Sequence, residues 1–196
     1  MKIILASGSP RRAEILCKAG FIFDVSPTDV DETLLPGETA EGSVRRLAAM
    51  KARVAAEKGK ESGQTIVIGA DTVVVVDGQA LGKPRDGEDA RWMLALLSGR
   101  THEVLTGLSV LRLPEGREAH HVETTRVTFL RLANEDIDEY LATGEPFGKA
   151  GAYAIQGVGG RYVSRIEGCY FNVMGLPLSS LWSLLRTLGW KDARGY

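Results

Sequence analysis

Two arginines stand where a helix start gains nothing from positive charge. Lys2-Ile3-Ile4-Leu5-Ala6 reads as a short buried strand and Ser7-Gly8-Ser9 as a tight turn. Pro10 then suits the first helical position, with Ser9 as its N-cap. Arg11 and Arg12 fall in the first helical turn, at the positive end of the helix dipole, where each costs about 0.5 kcal/mol. An anion held by the loop N–H groups, the hydroxyls of Ser7 and Ser9 and the two guanidinium forks removes that cost. The segment is therefore a candidate phosphate site, the alternative being an exposed helix end with solvated arginines.

Charge also interrupts apolar pattern further along. Residues 66–76 form an almost unbroken apolar run with Asp71 in its middle, a carboxylate that must be paired, hydrogen-bonded or metal-bound. Gly69 allows a bulge or a close backbone approach that turns Asp71 towards a cleft, and an arginine partner is the competing explanation. On a helix over residues 39–57, Val44, Leu47, Ala48, Val54 and Ala55 mark the apolar face, and Lys51 lies on it. That lysine either snorkels to the edge or reaches towards phosphate. Asp29, Asp31 and Glu32 form an acidic loop that is either solvated or, with Asp71, able to hold a hard divalent ion. Lys83, in Gly82-Lys83-Pro84-Arg85, adds a cation on a rigid turn. Such a set is equipment for metal-assisted chemistry on a phosphate chain: cations hold the phosphates, acids hold the metal and orient water.

The elements that must position these groups alternate between strand and helix. Beyond the N-terminal strand and helix, the pattern predicts strands over residues 21–26 and 66–76, an Asp77-Gly78 hairpin turn and a return through Ala80 and Leu81. A helix follows over 86–97, closed by Ser98-Gly99, then a long hairpin of 102–113 and 119–130 around Pro114-Glu115-Gly116. Residues 134–142 read as a short helix capped by Asn134, and 177–188 as a terminal helix. The glycine-rich stretch 144–168 gives only short strands and loops. Hairpins mixed with crossover helices imply an α/β fold with a mixed, twisted sheet flanked by helices.

Bulk properties narrow the function classes. With 196 residues the chain can bury a real core, and one domain spanning 1–196, in two lobes, is the expectation. A net charge of -1 argues against a nucleic-acid coat or a polybasic membrane binder. Cys17 and Cys169 are too few for a disulfide framework, and Cys17 reads as a small core residue. No apolar run reaches membrane-spanning length, so a cytoplasmic location is expected. His102, His120 and His121 sit at strand positions without metal-ligand spacing. Gly82-Lys83 is no Walker loop and Gly157-Val158-Gly159-Gly160 no dinucleotide fingerprint, its glycines reading as turn chemistry.

Leu5-Ala6-Ser7-Gly8-Ser9-Pro10-Arg11-Arg12 with Glu14-Ile15-Leu16 resembles the opening signature of the Maf family. Gly69-Ala70-Asp71-Thr72, Gly82-Lys83-Pro84-Arg85-Asp86, residues 150–157 and Gly175-Leu176-Pro177-Leu178 match in the same order. The resemblance implies a nucleoside triphosphate pyrophosphatase that needs Mg²⁺ or Mn²⁺, with a fold like the inosine-triphosphate pyrophosphatases, elongated and two-lobed around a central cleft. It implies Asp71 as proton acceptor, Glu32, Lys51 and Lys83 for metal or phosphate contacts together with Ser7 and Arg12, and Glu32 and Asp71 as metal ligands. Arg11, Thr72 and Gln156 follow the branch acting on dTTP and UTP; the branch acting on 7-methyl-GTP carries Trp, Gln and Glu there. A glutamine amide both donates and accepts, which suits the imide edge of uracil or thymine. The alternatives are a non-catalytic nucleotide-binding regulator of cell division and a pyrophosphatase for modified purine nucleotides. A homodimer is compatible with the resemblance, though no residue specifies it.

Overall fold

The structure is a computed structural model that describes residues 1–58 and 63–191. Its strands form one seven-stranded mixed sheet in the order β2 (Asp24–Val25), β1 (Lys2–Ala6), β3 (Thr65–Val76), β5 (Thr101–Leu113), β6 (Arg117–Phe129) and β7 (Val163–Glu167), with β4 (Gln79–Leu81) paired to β3. The chain divides into two compact units: Met1–Asp71, Thr106–Glu123 and Gly175–Tyr196 make the first, Thr72–Leu105 and Thr124–Met174 the second.

The first unit opens with β1 (Lys2–Ala6), α1 (Pro10–Lys18), β2 (Asp24–Val25), α2 (Ala40–Lys58) and the start of β3 (Thr65–Val76). β1 runs parallel to β2, with Ile4 opposite Asp24, and parallel to β3, from Lys2 opposite Thr65 to Ala6 opposite Gly69. The chain passes from β1 to β2 on one side and then to β3 on the other, so β1 and β3 flank a topological switch point, where open α/β sheets bind ligands at their strand C-termini. Ile4, Ala6, Val67 and Leu111 pack against Ala52 and Ala55 of α2. The helix rides low on the sheet because Gly69 has no side chain. A Cβ there would sit 2.1 Å from the Ala48 carbonyl oxygen, so the close-approach expectation holds.

The strand expected over 21–26 shrinks to Asp24–Val25. Gly20 adopts φ +81° and the Phe21 amide donates to the Leu16 carbonyl, so the start of the segment closes α1 instead. Ile22, 91% exposed, has no packing to hold it in a sheet.

The second unit is built on the hydrophobic cluster of Val74, Val76, Leu94, Leu97, Val127, Phe129, Tyr140 and Tyr153. The Asp77-Gly78 turn has positive φ at both residues, 49° and 78°, as a two-residue hairpin requires, and returns as β4 (Gln79–Leu81). The Asp86 side chain caps α3 (Gly87–Leu97) by accepting from the Asp89 amide. β5 (Thr101–Leu113) and β6 (Arg117–Phe129) are the expected long strands, and residues 101–105 and 124–129 belong to this unit.

In α4 (Asn134–Ala142) Asn134 is the first helical residue rather than the cap. Asp136 provides the end contact, accepting from the Ala133 amide at 2.8 Å. The glycine-rich stretch resolves into two 3₁₀ turns and β7 (Val163–Glu167), followed by a one-turn α5 (Tyr170–Val173) that the sequence pattern does not announce. In the first unit, α6 (Leu178–Thr187) ends the described fold, with Pro177 in the cap position. Cys17 is exposed, against its expected core position, because α1 buries only Arg12, Ile15 and Leu16.

Candidate active site

The turn after β1 and the last first-unit residues of β3 lie side by side because β1 and β3 are parallel and in register. Arg12 and Ser7 are bonded to each other there. The Arg12 Nε donates to the Gly175 carbonyl at 2.8 Å, and its Nη1 donates to the Ala70 carbonyl at 2.8 Å and to Ser7 Oγ at 3.1 Å. Ser7 Oγ also accepts the Ser9 amide at 3.2 Å. Ser9 occupies the cap position of α1, but its own side chain makes no capping bond. Part of the penalty for a cation at this helix start is thus met inside the chain, by two carbonyls and a hydroxyl. Burial holds the Arg12 pKa below the ordinary arginine value, opposed by the charge of Asp71, reinforced by that of Arg11 and opposed again by that of Glu32. Arg11 is half-buried.

Lys51 is the second organiser. It lies on the inward stripe of α2 with Val44, Leu47, Ala48, Ala52 and Ala55, and it is 7% exposed. Its ammonium donates to Glu32 Oε1 and to Asp71 Oδ1, each at 2.6 Å. The lysine does not snorkel. It fixes two carboxylates from a loop and a strand around one point, and these are the acids that could receive a divalent ion.

Of the other loop acids, Asp31 turns back to Thr33, whose hydroxyl and then its amide, at 2.9 Å, lower the Asp31 pKa by donating to the carboxylate. Near the same loop, Arg46 donates to both oxygens of Glu38 at 2.7 Å. Those bonds pull the Glu38 carboxyl down to about 2.

The first unit therefore brings together Ser7, Ser9, Arg12, Glu32, Lys51 and Asp71, with Arg11 in the same helical turn. Thr72, Lys83 and Gln156 belong to the second unit: Thr72 is half-buried, Lys83 and Gln156 exposed. Sequence reasoning missed Ala70 and Gly175 as backbone acceptors, and no pattern could have found them, since any residue supplies a carbonyl. Among the described residues no group of three or more His, Cys, Asp or Glu side chains is placed to hold a metal by itself. Two carboxylates are what Mg²⁺ commonly takes from a protein when phosphate oxygens and water complete its shell, so Glu32 and Asp71 fit such an ion.

The Maf-like protein family model matches residues 2–188. The chain belongs to the Maf family. Curated Maf relatives agree over nearly the whole length. The dTTP/UTP pyrophosphatase of Syntrophotalea carbinolica is 49% identical over 95% of this chain and 84% of that protein. The dTTP/UTP pyrophosphatase of Carboxydothermus hydrogenoformans is 49% identical over 97% of this chain and all of that protein. The one from Clostridioides difficile is 48% identical over 95% and 94%. Among solved structures, the dITP/XTP pyrophosphatase of Mycobacterium abscessus covers 67% of this Maf chain and 76% of its own at 20% identity, with a TM-score of 0.38. Among the described residues no helix is long and apolar enough to cross a membrane.

Proposed function

We propose that this Maf protein is a nucleoside triphosphate pyrophosphatase that hydrolyses dTTP and UTP to the monophosphate and pyrophosphate. The observation that carries the reading is Lys51 holding Glu32 and Asp71 together at the switch point, in a chain about half identical to dTTP/UTP pyrophosphatases.

Asp71 orients a water for in-line attack on the α-phosphorus and accepts its proton. A bond forms from the water oxygen to phosphorus, the α–β bridging bond breaks, and pyrophosphate leaves with the bridging oxygen. Lys51 keeps Glu32 and Asp71 in position, and Arg12 holds the middle of β3 by the Ala70 carbonyl immediately before Asp71. To the loop amides and Arg11 at the α1 N-terminus we assign stabilisation of the departing charge. Glu32 and Asp71 are the ligands we assign to Mg²⁺ or Mn²⁺, which when bound neutralises charge on the triphosphate.

From the second unit, the family resemblance assigns phosphate contact to Lys83 and base selection to Thr72 and Gln156. We place the protein in the cytoplasm, where its substrates are, and both its cysteines are free. The test is product analysis with Mg²⁺ or Mn²⁺ across dTTP, UTP, CTP, dATP, GTP and 7-methyl-GTP. Pyrophosphate and monophosphate from dTTP and UTP, with little from the rest, is the expected result. Orthophosphate would overturn α–β cleavage, and tight binding without turnover would identify a nucleotide-binding regulator.

A further inference from the structure

One cluster in the second unit gives a use to glycines that otherwise read only as turn chemistry. The Tyr140 hydroxyl, fully buried at the end of α4, donates to Glu145 Oε1 at 2.7 Å and accepts the Ala154 amide at 3.1 Å. Glu145 in turn accepts the Val158 amide through Oε2 at 3.0 Å and the Gly159 amide through Oε1 at 2.9 Å. The pair thus takes backbone N–H groups from both sides of the exposed Gln156.

The glycines make room for it. At Gly157, with φ +141°, a Cβ would sit 2.2 Å from Glu145 Oε2, and at Gly159 one would sit 2.4 Å from the Tyr140 hydroxyl oxygen. Neither position accepts a side chain while the pair is seated. The Tyr140 ring is itself fixed edge-on against Tyr162, whose hydroxyl donates to the Asp136 carbonyl. Burial opposes ionisation of Glu145, but the amides of Gly159 and Val158, the Tyr140 hydroxyl and the charge of Lys149 outweigh it, and its pKa lies below the ordinary carboxylate value. Ala154 and Gly159 are buried, so their amides need partners inside the fold, and the pair supplies them; the amide of exposed Val158 could have been left to water and is held as well.

We propose that Tyr140 and Glu145 are positioning residues that fix the 154–159 loop and thereby the Gln156 amide, setting selectivity for the nucleobase. The proposal rests on the assignment of Gln156 to base selection made above. A glutamine amide offers one donor and one acceptor, and by rotating it can serve an imide edge or an amino-pyrimidine edge equally well. It discriminates only when its carrier is held, because rejecting the wrong base depends on leaving fixed polar groups unpaired.

The test uses the full chain with Mg²⁺ and measures kcat and KM for dTTP and dCTP. The variants are Glu145→Gln, Tyr140→Phe, Gln156→Ala and the Glu145→Gln/Gln156→Ala double. Glu145→Gln and Tyr140→Phe are each expected to lower the dTTP:dCTP ratio of kcat/KM by about tenfold, mainly through KM for dTTP. The double variant is expected to select no worse than Gln156→Ala alone. A purely structural role would reduce the active fraction, lowering kcat for both substrates alike and leaving KM and the ratio in place. That pattern in both Glu145→Gln and Tyr140→Phe, alongside a collapsed ratio in Gln156→Ala, overturns the proposal and keeps the Gln156 assignment. An unchanged ratio in Gln156→Ala overturns that assignment and the proposal with it. Should Glu145→Gln not fold, Tyr140→Phe carries the same readout.

Discussion

The Glu32–Lys51–Asp71 group and the Tyr140–Glu145 group each gather carboxylate chemistry around a buried polar centre, in different ways. In the first, an ammonium bonds two carboxylates, and Glu32 keeps 43% of its side chain open to solvent. In the second, a single carboxylate is filled by two backbone amides and a phenol. Ion pairs of the first kind can exchange partners when a ligand arrives, because each charge has another place to go. A carboxylate filled by backbone donors cannot move without unfolding the loop that supplies them. Charges that work on a substrate belong to the first kind, and charges that hold a loop to the second.

The largest effect expected from breaking this contrast is at Asp71. Asp71→Asn keeps an oxygen for Lys51 but removes the base, so kcat should fall by about a thousandfold while the unfolding midpoint stays near the parent. Turnover close to the parent would remove Asp71 from the chemistry.

Lys51→Met probes the pairing itself. It removes the ammonium bonded to both Glu32 and Asp71 and so uncovers the repulsion between the two carboxylates. Stability should drop by about 1 kcal/mol, a small value because Glu32 is half open to solvent, and added salt, which screens the repulsion, should narrow the gap. A deficit in urea unfolding that is independent of salt concentration would show that the lysine contributes packing alone.

A further test lies in the second unit. His102 is 1% exposed, bonds the Tyr153 hydroxyl through Nε2 at 2.8 Å, and is held by burial at a pKa of about 4. The unfolded chain takes up this proton near pH 6.5 and the folded one near 4. Stability is therefore full above 6.5 and declines as pH falls between those values, by at most about 1.4 kcal/mol per unit. His102→Gln should flatten that slope in thermal melts between pH 6.5 and 4. An undiminished slope would assign it to other groups.

Much of this molecule is legible from residue types. The run 66–76, the Asp77-Gly78 turn and the long β5 and β6 strands follow from periodicity and turn chemistry, and they hold because a strand flanked by such turns has few competing structures. The segment 21–26 misleads because its apolar and aromatic residues suit a strand while Gly20 and the Phe21 amide are already committed to closing α1. Asn134 misleads for a similar reason: a good cap residue lost to an Asp two positions later that bonds the Ala133 amide.

For the site, the sequence by itself determined which residues carry charge against pattern, namely Arg12, Lys51 and Asp71, and which family they match. It could not decide what each charge does. Lys51 read first as a snorkelling lysine and second as a phosphate ligand, and only the crossing of α2 over β3 at Gly69 sets its ammonium between Glu32 and Asp71. Arg12 read as an anion ligand, and only the parallel register of β1 with β3 brings the Ala70 carbonyl within its reach. Glu145 carried no signal at all. A carboxylate acquires its role from donors distant in the chain, and backbone amides, common to every residue but proline, leave no mark in a sequence until the fold aims them.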